Sequence, residues 1–155
     1  MAKKLDEINR KILALLQEDG RMKRQDVAKE VGLSTPAVSE RMNKLLERGV
    51  IERYTAVVNP KAVKKEVTAF LTMGVERTDG NTALENKIQG TPDILECHAI
   101  TGGASHLLKV RVSDISALND LINQIKQWEG VTRVESNVVL STIKETNVLN
   151  TQNEL

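Results

Sequence analysis

The sequence is poor in aromatic residues: Trp128, Tyr54 and Phe70 are the only ones in 155 positions. Proteins that grip single-stranded nucleic acid stack its bases on several exposed rings, so that mode of binding is not expected. Cysteine is nearly absent too. Cys97 stands alone, which rules out a disulfide within the chain and fits a reducing compartment. No apolar run comes near the ~20 residues that cross a bilayer as a helix. The opening MAKKLDEINRK has lysines with no apolar stretch behind them, so no secretory signal is expected. Charge of one sign is also lacking, with a formal net charge of +1. A soluble cytoplasmic protein with no membrane partner is the expectation.

What is present points to one ordinary domain or two small ones. A hydrophobic content of 40% supports a real core. The small net charge hides an asymmetry. Residues 1–60 hold 12 Lys and Arg against 9 Asp and Glu, and residues 61–155 hold 10 against 12. A mildly basic module followed by a mildly acidic one is consistent with nucleic-acid contact by the first.

Residues 25–46, QDVAKEVGLSTPAVSERMNKLL, read as two short helices around a tight turn. Val27, Ala28 and Val31 form the inner face of the first. Gly32 stops it, since a left-handed conformation costs glycine nothing. Ser34 is a good N-cap for the second helix, and Pro36 is tolerated in its first turn. Val38, Met42, Leu45 and Leu46 make one apolar stripe. Thr35, Pro36, Ser39, Glu40, Asn43 and Lys44 are left facing out or sideways. Such a helix suits the DNA major groove; an ordinary helical hairpin fits the same residues. A preceding helix over residues 5–18 carries Leu5, Ile8, Ile12, Leu15 and Leu16, and Asp19-Gly20 ends it. Three such helices share a small core. Residues 50–58 are rich in β-formers and suggest a wing or linking strand, closed by Asn59-Pro60.

The pattern then changes. Residues 66–75 alternate, with Val67, Ala69, Leu71, Met73 and Val75 on one face and Phe70 on the other; both faces are expected to be covered. Asp79-Gly80-Asn81 opens a helix to about Gln89. Strands at residues 94–101 and 106–112 form a hairpin around Gly102-Gly103. Ser113 or Asp114 caps a helix carrying Ile115, Leu118, Leu121, Ile122, Ile125 and Trp128, and residues 131–143 form a last strand. The polar tail from Lys144 is expected to be loosely held. The order β-α-β-β-α-β is a ferredoxin-like split βαβ unit. The fold class is α+β, with a helix-turn-helix domain over residues 1–60 including a linker strand, a βαββαβ domain over 61–145, and a tail over 146–155. An apolar outer sheet face would call for a homodimer, which would present two helical modules to two DNA half-sites.

Cys97, His98 and His106 invite a metal reading. Neighbours on a strand point to opposite faces, so Cys97 and His98 do not easily ligate one ion. No nucleophile–base arrangement, carboxylate pair or phosphate loop is evident, so neither an enzyme, a metal nor a cofactor is expected.

Several pieces together resemble the Lrp/AsnC family of feast/famine transcriptional regulators. They are the L-D-x-I-x-x-x-I-L opening at Leu5 to Leu13, D-G-R at Asp19 to Arg21, V-G-L-S at Val31 to Ser34, V-x-x-R-x-x-x-L at Val38 to Leu45, G-V-I at Gly49 to Ile51, and Tyr54 followed by Asn59-Pro60. E-C-H at Glu96 to His98, a glycine hairpin before L-L-K at Leu107 to Lys109, and V-V-L-x-x-I-K in the last strand continue it. The resemblance covers about residues 5–145. It implies a winged-type helix-turn-helix followed by a ferredoxin-like domain of the ACT-like (RAM) kind. It also implies duplex DNA as partner, homodimers that assemble further (often to octamers), and a small effector, usually an amino acid, held near the hairpin between dimers.

The DNA-binding residues expected on this basis are Lys23, Arg24, Thr35, Pro36, Ser39, Glu40, Arg41, Asn43 and Lys44, with Lys3, Lys4 and Arg21 as further backbone contacts. For Arg41 a structural ion pair with a nearby acid is an equal alternative. The effector residues expected are Gly102, Gly103, Ala104, Ser105, His106 and Ser136. Here the chain departs from the family, whose hairpin commonly reads G-D/N-x-D-Y/F. Ser105 replaces the acid that would pair with an ammonium group, and His106 replaces the aromatic. A charge-assisted hydrogen bond is about twice as strong as a neutral one, so an amino acid would be held less firmly. Lys23 also replaces the usual small polar cap of the second helix. A second reading makes the helical module contact protein rather than DNA.

Overall fold

The computed structural model describes residues 5–76 and 82–151. Its contacts divide the chain into two compact units: Val58–Ile143, and the residues before and after it.

The helical unit starts with α1 (Glu7–Glu18), capped by Asp6, whose carboxylate accepts the Asn9 N–H at 2.7 Å. Helix α2 (Arg24–Val31) ends at Gly32, which lies at φ 69° as the stop requires, and the Leu33 N–H reaches back to the Ala28 carbonyl at 3.0 Å. Helix α3 (Thr35–Glu47) follows, with Pro36 in its first turn and the Ser34 hydroxyl accepting the Ala37 N–H at 3.4 Å. Ile12, Leu13, Leu16, Val27, Ala28, Val38, Met42 and Leu45 form the core. Leu15 is only partly buried while Leu13 is inside, so the inner stripe of α1 is rotated slightly from the expected one. Lys23 occupies the N-cap of α2 and makes no side-chain cap bond.

Residues 50–58, expected as a wing or linking strand, are instead irregular chain that opens with a bend. A β ladder needs a partner, and among the described residues no segment pairs with them. The Val50 and Ile51 N–H groups bond to the Leu45 carbonyl instead. A 3-10 turn at Pro60–Val63 that the sequence did not announce leads into the second unit.

That unit is the expected βαββαβ fold: β1 (Val67–Val75), α4 (Thr82–Gln89), β2 (Ile94–Ala99), β3 (His106–Val112), α5 (Ile115–Lys126) and β4 (Val131–Val138). The Asp79-Gly80-Asn81 opening of α4 lies outside the described residues. The sheet is antiparallel in the order β2-β3-β1-β4. Asp114 caps α5 through the Ala117 N–H at 2.8 Å. Helices and sheet bury Ala69, Leu71, Met73, Leu84, Leu108, Val110, Val112, Leu118, Leu121, Ile125 and Trp128. Burying a Leu-sized side chain contributes about 1.5–3 kcal/mol.

The apolar outer sheet face is not there. Residues directly opposite in an antiparallel pair share a face. The register therefore places Thr68, Phe70 and Thr72 beside Arg111, Lys109 and Leu107, with Glu96, His98, Arg133, Glu135 and Asn137 on the flanking strands. This face is laced with polar contacts. Arg111 Nε donates to Thr68 Oγ1 at 2.9 Å, Lys109 meets Glu96 at 3.2 Å, and Arg133 pairs with Glu135. Only one face of β1 is buried, because its second face is built of Thr68, Phe70, Thr72 and Gly74 rather than aliphatic residues.

The tail is also corrected. Beyond Ile143 it groups with the helices, and Leu149 and Thr151 hydrogen-bond to α1. Its polar composition concealed this, because the bonds run largely through main-chain groups that any sequence offers.

The bare cap of α2 gives a direct test. Lys23→Ser supplies the missing acceptor and should add about 1 kcal/mol to the stability of the helical unit. Urea unfolding followed by circular dichroism should show a higher midpoint at unchanged slope.

Candidate nucleic-acid interface and effector hairpin

Helix α3 buries Val38, Met42 and Leu45 and turns its other sides outward. Thr35, Pro36, Glu40, Asn43 and Lys44 are exposed and Ser39 is half-buried; Lys23 and Arg24 are exposed at the start of α2. Lys3 and Lys4 lie outside the described residues. Along the exposed side, Lys44 Nζ meets a Glu40 carboxylate oxygen at 2.5 Å. The Lys44 ammonium holds the Glu40 carboxyl below the usual glutamate range.

Arg41 differs from its neighbours. Its Nη1 donates to Asp6 Oδ2 at 2.6 Å and to Asn9 Oδ1 at 3.0 Å. Of the two roles open to it, the structure displays the ion pair. Asp6 thereby binds two helices at once, capping α1 with one oxygen and holding α3 with the other. The hydrogen bond from Arg41 and the one from the Asn9 N–H hold the Asp6 carboxyl below the ordinary value of 3.8.

In the second unit the hairpin closes through the Ile100 N–H, which donates to the Ser105 carbonyl at 2.9 Å. Gly102 sits at φ 113°, a conformation that suits glycine alone. The Ser105 hydroxyl donates to the Met73 carbonyl at 2.9 Å and lies 3.1 Å from His106 Nδ1. His106 stands opposite Met73, on the helix-covered face, and borders a groove of about 470 Å³ between α4 and β2. Of the six expected effector residues only His106 lines this groove; Leu84, Glu85, Ile88, Cys97 and Ala99 complete much of it. Ser136 stands on β4 opposite Leu71, two strands away from the hairpin strand, and does not line the groove. The wall residues escaped sequence reasoning because an amphipathic helix and an edge strand carry no motif for the space between them.

Cys97 pairs in register with Leu108 and His98 with Leu107, so the two do point to opposite faces. Cys97 packs against the core, and burial pushes its thiol up. His98 lies 3.4 Å from Glu96 instead.

Comparison with known proteins accounts for both units. Residues 5–52 match the family model described as winged helix-turn-helix DNA-binding, and residues 68–149 match the Lrp/AsnC ligand binding domain. The chain belongs to the Lrp/AsnC family. It is 33% identical over 145 residues to the HTH-type transcriptional regulator FL11 of Pyrococcus furiosus, covering 94% of this chain and 95% of that one. It is 35% identical over 150 residues to the leucine-responsive regulatory protein of Escherichia coli, covering 95% and 92%. Among solved structures, a transcriptional regulator from Neisseria meningitidis in complex with L-methionine superposes with a TM-score of 0.89 at 28% identity, covering 94% and 96%. Like these Lrp/AsnC relatives, the chain carries a DNA-binding module ahead of a ligand-binding one. No described helix is long and apolar enough to cross a membrane.

The Asp6 clamp makes a pH prediction. Its folded pKa is lowered, so the stability it contributes is complete above the unfolded value and is lost as pH falls through the folded one. Asp6→Asn keeps a competent N-cap but removes the charge. The stability advantage of wild type over Asp6→Asn should therefore be full at neutral pH and shrink from about pH 5 downward. Urea unfolding of both chains across that range is the measurement.

Proposed function

We propose that the chain is a transcriptional regulator that binds duplex DNA sequence-specifically through α3 and responds to a small effector of the amino-acid class. The observation that carries this is the exposed row of Thr35, Pro36, Glu40, Asn43 and Lys44 on a helix whose opposite side is fully packed. Thr35, Ser39 and Asn43 suit base edges, while Lys23, Arg24 and Lys44 suit phosphates. Lys44 must leave Glu40 to reach a phosphate, and Glu40 is then free to accept from a cytosine amino group. Arg41 acts from behind, through Asp6 and Asn9.

The chain works as a homodimer that assembles further, up to an octamer, so that two copies of α3 meet two half-sites. Support comes from apolar side chains that one chain leaves in water: Val57 is 93% exposed, Leu140 96% and Ile143 fully. The partner, DNA, sets the working place as the cytoplasm. Effector binding involves the hairpin at Gly102, Gly103, Ala104, Ser105 and His106, with Ser136 contributed where copies meet. The Neisseria relative with bound L-methionine supports the ligand class.

Gel shifts with duplex selected by the chain from a random pool should show binding that weakens steeply with salt as counterions are released. Asn43→Ala with Lys44→Ala should lose affinity with assembly unchanged. Unaltered affinity in that variant would favour a helical module that contacts protein.

For the effector, a melting-temperature screen of the amino acids, L-methionine included, should show stabilisation by mass action. Ser105→Asp restores an acid opposite the ammonium group and should tighten the best amino acid about fivefold. Equal or weaker affinity in a Ser105→Asp chain that keeps the wild-type melting temperature without ligand would remove the hairpin from the site.

A further inference from the structure

The C-terminal tail makes contacts that DNA reading does not use. Gln17 of α1 takes the Leu149 residue by both of its main-chain groups. Its Oε1 accepts the Leu149 N–H at 2.7 Å, and its Nε2 donates to the Leu149 carbonyl at 2.9 Å. Two turns earlier on the same helix, the Arg10 carbonyl accepts the Thr151 hydroxyl at 3.2 Å. One glutamine thus supplies a donor and an acceptor to a single residue, as a neighbouring strand would. The Val148 and Leu149 side chains stay exposed, so main-chain recognition, rather than apolar burial, holds the tail.

Helix α1 is also gripped by α3, where Arg41 reaches Asp6 and Asn9. One helix therefore touches both the tail and the helix proposed to read DNA. The tail itself begins just beyond β4. The chain leaves the helical unit after Val57 and rejoins it at Lys144. A helix with its tail held is less free than one with its tail loose, and binding must freeze whatever freedom remains.

We propose that Gln17 is a positioning residue for DNA reading: by clasping the tail of its own chain it steadies α1 and, through Arg41, the recognition helix. The inference rests on DNA binding by α3. Gln17 touches no DNA in this account, and its effect passes through the tail.

The test uses the full-length chain, Gln17→Ala, a chain ending at Glu145, and the combination, with duplex selected by the wild type from a random pool. Alanine keeps the helix propensity of the site. Either change alone should weaken duplex binding about fivefold or more. The slope of log affinity against log salt should stay the same, because no phosphate contact is lost. Combining the two should lose no more than truncation alone, since truncation already removes the partner of Gln17. The Leu149 amide should exchange its hydrogen slowly in the wild type and faster in Gln17→Ala.

Undiminished affinity, additive losses, or fast Leu149 exchange in the wild type overturns the proposal. So does a slope shallower by about one phosphate contact in Gln17→Ala, which would put Gln17 on the DNA. A smaller assembly on truncation would show the tail bridging copies, which also overturns it. A wild-type chain that selects no duplex overturns the DNA reading instead, and Leu149 exchange, measured without any variant, still decides the clasp.

Discussion

The carboxylate of Asp6 holds two helices in one grip, and the DNA-reading surface depends on it. One oxygen caps α1 through Asn9, and the other receives Arg41 from α3. The core beneath is small, eight buried side chains from three helices. Apolar burial has no direction, so such a core leaves the rotation of a short helix loosely specified. A guanidinium between a carboxylate and an amide oxygen is directional. The pair is half in water, with Arg41 31% and Asp6 51% exposed, and contributes modestly to stability. Its value is directional: it pins α3 to the start of α1 at one point, while the Val38, Met42 and Leu45 stripe sets which residues of α3 face outward.

Much of the architecture was legible from residue spacing. Helix α2 falls where Gly32 and the Val27–Val31 pairing put it, and of the two caps open to α5, Ser113 and Asp114, the structure uses Asp114. The βαββαβ order followed from the switch between alternating and helical periodicity. What escaped was whatever depends on pairing rather than on one segment. The outer sheet face looked apolar because the buried face of β1 is so strongly apolar, and its polar character emerges only when Lys109, Arg111, Glu96 and Glu135 are set side by side by the register. A linking strand was expected from β-forming residues, yet a strand exists only where another chain segment supplies its hydrogen bonds.

The candidate sites divide the same way. Exposure of Thr35, Asn43 and Lys44 could be read from the stripe opposite them. The partner of Arg41 could not, since Asp6 lies far off in sequence. At the hairpin, the resemblance implied that Ser105 stands where the family commonly carries an acid. Only the structure shows that its hydroxyl is already committed to the Met73 carbonyl, with His106 turned toward a groove whose other wall is α4. The hairpin is thus tied to β1, and the polar side chains that line the groove are Glu85, Gln89, Glu96 and His106 rather than Ser105.

The contact between Gln17 and Leu149 spans nearly the whole chain. During synthesis the three helices emerge first and can collapse on their own core, as N-terminal units generally do. Their last structural piece is still inside the ribosome at that moment. The helical unit is therefore finished only after the sheet unit has been made, and a polypeptide that stops early, or is trimmed at its end, carries a DNA-reading module that never receives its final fastening.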